Sequence, residues 1–185
     1  MANDDKEEII RILKEATIAI SNQDPAKLQS LSDEAITMAS IDQATDTINL
    51  AVIMYAISKI IIRHSPDEKV WLEFIKKINA SLSLSIVALR ENDYNSFATH
   101  LQKVRQLMES KSSGMGPYIK EIIEKAKINK ASKIYEHGIS LSQTADLLGI
   151  TQWELANYIG SKKTESYENP LDIKKRLKRA MNFFQ

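Results

Sequence analysis

Residues 141–160, LSQTADLLGITQWELANYIG, carry two apolar rhythms of helical period separated by a single glycine. Gly149 stands where a chain turning after a short helix needs a positive φ, which glycine adopts without steric penalty. Ala145 is small where two helices would approach most closely, and a larger side chain would clash there. Leu148, Ile150, Leu155 and Tyr158 fall where such a pair buries apolar side chains. Thr151 is placed to cap the second helix. Small, flexible and apolar positions agree over the whole stretch, so it reads as a helix-turn-helix. Its second helix, TQWELANYI, contains no lysine or arginine.

The rest of the chain also has helical period, with five glycines and four prolines leaving few breaks. Ile9, Ile12, Leu13, Ala16 and Ile20 line one face of a helix over about 5–21. Asp24-Pro25 supplies an N-cap and a first-turn proline for the next. Asp42 is read as opening a third helix, whose apolar residues from Ile48 to Ile62 lie all round the wheel. A helix apolar on every side belongs in the centre of a bundle. Ser65-Pro66-Asp67-Glu68 starts a fourth helix, in which the strand-like SLSLSIV is overruled by Val70, Trp71, Phe74, Ile75, Ile78, Leu82, Ser85 and Leu89. A fifth runs from Asp93 to about Ser110, with Phe97, Leu101, Val104 and Met108 inward. The segment KSSGMGP then marks a linker. Pro117 opens a long helix with Ile119, Ile122, Ile123 and Ala126 aligned. Continuing that stripe would bury Lys130, whereas Ala131, Ile134 and Tyr135 resume it out of phase. The slip is read as a helix leaving the bundle to begin a second domain, with Gly138 ending it. The expected fold is all-α: an N-terminal helical bundle over 1–116 and a C-terminal helix-turn-helix domain over 117–185. A closing helix begins at Asn169-Pro170.

Composition narrows the function. The chain has no cysteine, which excludes thiolate catalysis, disulfides and thiolate zinc sites. The acidic start, MANDDKEEII, is unlike a signal peptide. The longest apolar run is shorter than the ~20 residues a bilayer needs, so a soluble, cytoplasmic protein with no membrane partner is expected. Net charge is +1, but residues 1–116 carry 13 basic and 16 acidic groups, net −3, and residues 117–185 carry 12 and 8, net +4. Any polyanion contact therefore belongs to the C-terminal third.

The segment 131–160, ASKIYEHGISLSQTADLLGITQWELANYIG, resembles the helix-turn-helix of phage Cro-type repressors. It is closer still to a family of small, antitoxin-like prokaryotic proteins. Their pattern has a tyrosine-acid-x-glycine-isoleucine-serine run and a tryptophan-glutamate pair, matched by Tyr135, Glu136, Gly138, Ile139, Ser140, Trp153 and Glu154. The resemblance spans about thirty residues. It implies double-stranded DNA as partner, a homodimer, and the second helix in the major groove, in transcription regulation. The family often has arginine where this chain has Gln152.

The candidate contacts follow from donor and acceptor chemistry. Gln152 and Asn157 can each pair an adenine edge. Ser142, Gln143 and Thr151 can reach phosphates. Affinity comes largely from neutralised phosphates, and the cations available are Lys162, Lys163, Lys175, Lys178 and Arg179. Trp153 falls at an exposed position and offers a protein contact, so a scaffold docking on a protein or a ribonucleoprotein such as a ribosome is the alternative. No catalytic residue is expected. His64, His100 and His137 have no metal-binding spacing, Gly114-Met115-Gly116 lacks the lysine of a phosphate loop, and the arginine-histidine signature of HEPN ribonucleases is absent. No cofactor is implied.

Overall fold

The computed structural model describes residues 3–42, 44–63, 68–109 and 116–167. Every regular element among the described residues is an α-helix. In chain order these are α1 (Asn3–Ser21), α2 (Pro25–Asp42), α3 (Thr45–Arg63), α4 (Glu68–Arg90), α5 (Tyr94–Glu109), α6 (Gly116–Glu136), α7 (Leu141–Leu148) and α8 (Gln152–Tyr167). The chain is all-α, as its periodicity predicts.

Two connections share one design. Gln23 and Asn92 adopt left-handed backbone, with φ of 52° and 59°. The following amides fold back, from Asp24 to the Ala19 carbonyl at 2.8 Å and from Asp93 to the Ala88 carbonyl at 2.9 Å. Each aspartate then caps the next helix. Asp24 Oδ1 accepts from the Lys27 amide at 2.9 Å, and Asp93 Oδ1 accepts from the Ser96 amide at 3.0 Å. Both satisfy amides that a helix start leaves without partners. The third start differs from expectation. Asp42 closes α2 instead of opening α3, and the first turn of α3 hangs from the Ala44 carbonyl, which accepts from Ile48.

α3 is the central helix. Ile48, Leu50, Ala51, Val52, Ile53, Met54, Ala56, Ile57 and Ile60 are all buried, on every side of its wheel. It packs most extensively on α2 and also meets α1, α5, α6 and α7. Ser32 donates to the Ala51 carbonyl at 2.6 Å, so the α2–α3 seam also carries a buried polar tie. Residues 45–62 of α3 are long and apolar enough to cross a membrane, and most of that surface is packed inside the protein.

The reading of α6 needs correction. Lys130 was expected to avoid the core, and it is fully buried. Its Nζ sits 2.7 Å from Asp33 Oδ1 of α2 and 4.5 Å from the ring centre of Tyr55 of α3. Burial lowers the Lys130 ammonium to about 8, even against the pull of Asp33. Burial also opposes the charge of Asp33, but its hydrogen bonds from Lys130 and Lys133 outweigh that and hold the carboxyl below its ordinary value. At Lys130, beyond the shift of phase, α6 is therefore still in contact with α2 and α3. α6 packs against α2, α3 and α5 and also against α7 and α8. A single continuous core runs from Ile9 to Leu155.

Candidate functional site

The short helix α7 is fixed at both ends by its own sequence. Ser140 is extended, with φ −61° and ψ 151°, and its hydroxyl accepts from the Gln143 amide at 3.2 Å. At the other end Gly149 takes φ 60° and ψ 44°. Its amide donates to Asp146 and that of Ile150 donates to Ala145 at 3.0 Å, which closes the helix with two reversed bonds. No heavy atom outside the turn itself lies within 4 Å of where a Cβ on Gly149 would stand. The requirement for glycine is thus conformational and not a matter of space.

α8 begins with a reciprocal cap. The Thr151 amide and hydroxyl donate to Glu154 Oε2 at 2.8 and 2.6 Å, and the Glu154 amide donates back to Thr151 Oγ1 at 3.1 Å. The threonine-x-x-glutamate spacing is the sequence signal for this arrangement. The hydrogen bonds from Thr151 hold the Glu154 carboxyl below its ordinary range. Thr151 caps the helix as read from sequence, and its hydroxyl is engaged there.

Below the turn the apolar positions are filled as expected. Ala145, Leu148 and Leu155 are buried, while Ile150 and Tyr158 are half-buried. Tyr158 accepts a hydrogen bond from Asn129 of α6 at 3.1 Å. That tie to α6 was not legible in the sequence, because nothing local links positions 129 and 158.

Above the turn the structure brings several candidate residues to one surface. Gln152 Nε2 donates to Ser142 Oγ at 3.1 Å, joining α8 to α7 across the turn. Ser142, Gln143, Gln152 and Asn157 are exposed, and Trp153 is 73% exposed. Along α8 the exposed positions Gln152, Trp153, Ala156, Asn157 and Gly160 recur at helical spacing and carry no charge.

The far end of α8 departs from the sequence reading. The helix does not stop before Gly160 but continues through it to Tyr167. A glycine inside a helix costs roughly 1 kcal/mol relative to alanine. Contacts beyond it offset this. Ser161 donates to the Tyr158 carbonyl at 2.8 Å, and Lys162 Nζ reaches Ser132 Oγ at 3.3 Å and Glu136 at 3.8 Å. Lys162 also lies over the Tyr158 ring at 5.5 Å. Lys162 is therefore held against α6, away from the Ser142–Gln152 surface. Lys163 belongs to α8, but its side chain lies outside the described residues, as do Lys175, Lys178, Arg179 and the expected closing helix.

Comparison with known proteins adds nothing to this geometry: the chain matches no family model, no curated protein and no solved structure.

Proposed function

We propose that α7 and α8 work as a helix-turn-helix that binds double-stranded DNA. In this reading the chain is a transcription regulator whose N-terminal bundle, α1 to α5, serves dimerisation or sensing. The observation that carries it is the polar surface at the α7–α8 turn, where Gln152 and Ser142 meet above a buried Ala145 and Leu155. After donating to Ser142, the Gln152 amide keeps one N–H and its carbonyl, the pair an adenine edge requires. Gln143 on α7 and Asn157 on α8 are exposed as well, and Glu154, the acidic residue in the first turn of α8, is turned into a cap. Phosphate attraction falls to Lys163, Lys175, Lys178 and Arg179, with Lys162 held on α6. Exposed Leu72, Leu84 and Val87 on α4 supply an apolar surface for a homodimer.

Trp153 favours a second reading. A large aromatic on the neutral outer side of α8 suits a protein contact, since buried aromatics dominate such interfaces. The same two helices would then dock the chain, without catalysis, on a protein or ribonucleoprotein.

One experiment separates them. Retention of genomic DNA fragments and of ribosomal particles by the full chain is measured across a salt series. Under the first reading duplexes are retained, and changing Lys175, Lys178 and Arg179 together to Ala flattens the salt slope by up to about three. Gln152→Ala then relaxes sequence preference with little change in slope. Absence of duplex binding at any salt, with particle binding that Trp153→Ala abolishes, establishes the second reading instead.

A further inference from the structure

A cavity of about 330 Å³ lies between α3, α5, α6 and the end of α7. Its volume falls within the range of small-molecule sites. The apolar part of its wall is Val52, Ile53, Leu101, Met108, Ile123 and Leu148. Its polar lining is Asp46, Asn49, Gln102, Arg105 and Lys127. The charges in this lining are not equivalent. Arg105 is paired with Glu109 at 2.9 Å and Lys127 with Glu124 at 3.1 Å, each along its own helix. Among the described residues, the Asp46 carboxylate, in the first turn of α3, has no hydrogen-bond or ion-pair partner. Burial pushes its carboxyl above the ordinary range.

A partly desolvated carboxylate without a partner is a cost to the fold. Helix α3 favours an acid in its first turn, but a solvated acid would serve that purpose as well. What distinguishes Asp46 is its position on the wall of a cavity whose other groups are apolar, uncharged or already paired. We propose that this cavity is a binding site for a small organic cation, a primary amine with a hydrocarbon body, whose ammonium group pairs with Asp46. The hydrocarbon body packs on Ile53, Leu101, Met108 and Ile123. An occupant also touches Leu148, the residue immediately before the Gly149 turn, so it bears on α7. The site stands on its own geometry and does not depend on what α7 and α8 bind.

The test is calorimetric titration of the full chain with 2-phenylethylamine, and with 2-phenylethanol and 3-phenylpropanoate as neutral and anionic counterparts. The amine is expected to bind saturably, and the alcohol and the acid at least about tenfold more weakly, as loss of a charged hydrogen bond requires. Asp46→Asn removes the charge without changing shape and weakens the amine by a similar factor. Ala98→Leu keeps Asp46 and fills the cavity from α5, and it also abolishes binding, which controls for any effect of Asp46 on folding. Absence of saturable amine binding overturns the proposal. So does equal binding of the alcohol, tighter binding of the acid, or amine affinity unchanged in Asp46→Asn.

Discussion

Replacing Asp33 should damage the protein far more than replacing Lys130, although the two residues form one ion pair. The Lys130 side chain is 1% exposed and the Asp33 side chain 47%, at 2.7 Å. Asp33→Asn strips a buried ammonium of its counter-charge while leaving Lys133 nearby. Breaking a buried pair in this way costs 3–5 kcal/mol when both partners are buried. With Asp33 half in water, roughly 2–3 kcal/mol is expected. Lys130→Met, by contrast, leaves Asp33 with Lys133 and fills the same channel with hydrocarbon. It should be neutral within about 1 kcal/mol, or stabilising. The pair also sets a pH dependence. The folded-state value of Lys130, about 8, lies below its ordinary 10.5. Between those values the unfolded chain holds a proton that the folded chain has released, so stability rises with pH across that window. The interval corresponds to roughly 3 kcal/mol. Urea denaturation of the wild type and both variants at pH 7 and pH 10 measures all of this. The wild type should gain on Lys130→Met as the pH rises. An Asp33→Asn loss under about 1 kcal/mol, or Lys130→Met proving the worse variant, would show that the charge is not buried as described.

Gly149→Ala should cost about 1 kcal/mol, from the left-handed φ alone, because no atom crowds the added methyl; an unchanged thermal midpoint would mean that the turn has another shape. Ala145→Leu should overpack the buried face of α7 and cost roughly 1–3 kcal/mol, read by chemical denaturation of the full chain. Glu154→Gln keeps the cap but removes its charge. Since the Glu154 carboxyl is held below its ordinary 4.5, the wild type should be the more stable above that pH, and its advantage should vanish as the pH falls further. A difference that persists in acid would place the carboxylate elsewhere.

Local chemistry made most of the helices legible. Asp24-Pro25 and Asp93 cap helices where their types predict, and Gly149 has the positive φ that its position demands. The all-round apolar pattern of α3 likewise marks the centre of the bundle. What escaped was long-range compensation. A lysine on an apolar stripe signals a break unless a carboxylate meets it, and Asp33 lies 97 residues away in sequence. Gly160 misleads for the same reason, since the contacts that keep α8 helical beyond it come from Ser132 and Glu136 on another helix. At the candidate site, residue types named Gln152 and Ser142 separately, while their hydrogen bond depends on the angle at which α7 and α8 meet. The cavity at Asp46 needs four helices to exist and has no sequence pattern at all.

The packing of α6 against both sets of helices bears on how this chain could be divided. A cut in the glycine-bearing stretch before Pro117 would hand the C-terminal fragment a leading helix stripped along one flank. Ile123 and Ala126 would meet water, and Lys130 would lose Asp33. The N-terminal fragment would in turn uncover the side of α3 that α6 now roofs. Neither piece inherits a finished surface, so α7 and α8 are not a cassette to be grafted onto other scaffolds by their own residues alone. A transplant that keeps them in register must carry α6 and rebuild on the recipient the two groups that receive it, an acid for Lys130 and an aromatic ring beside it.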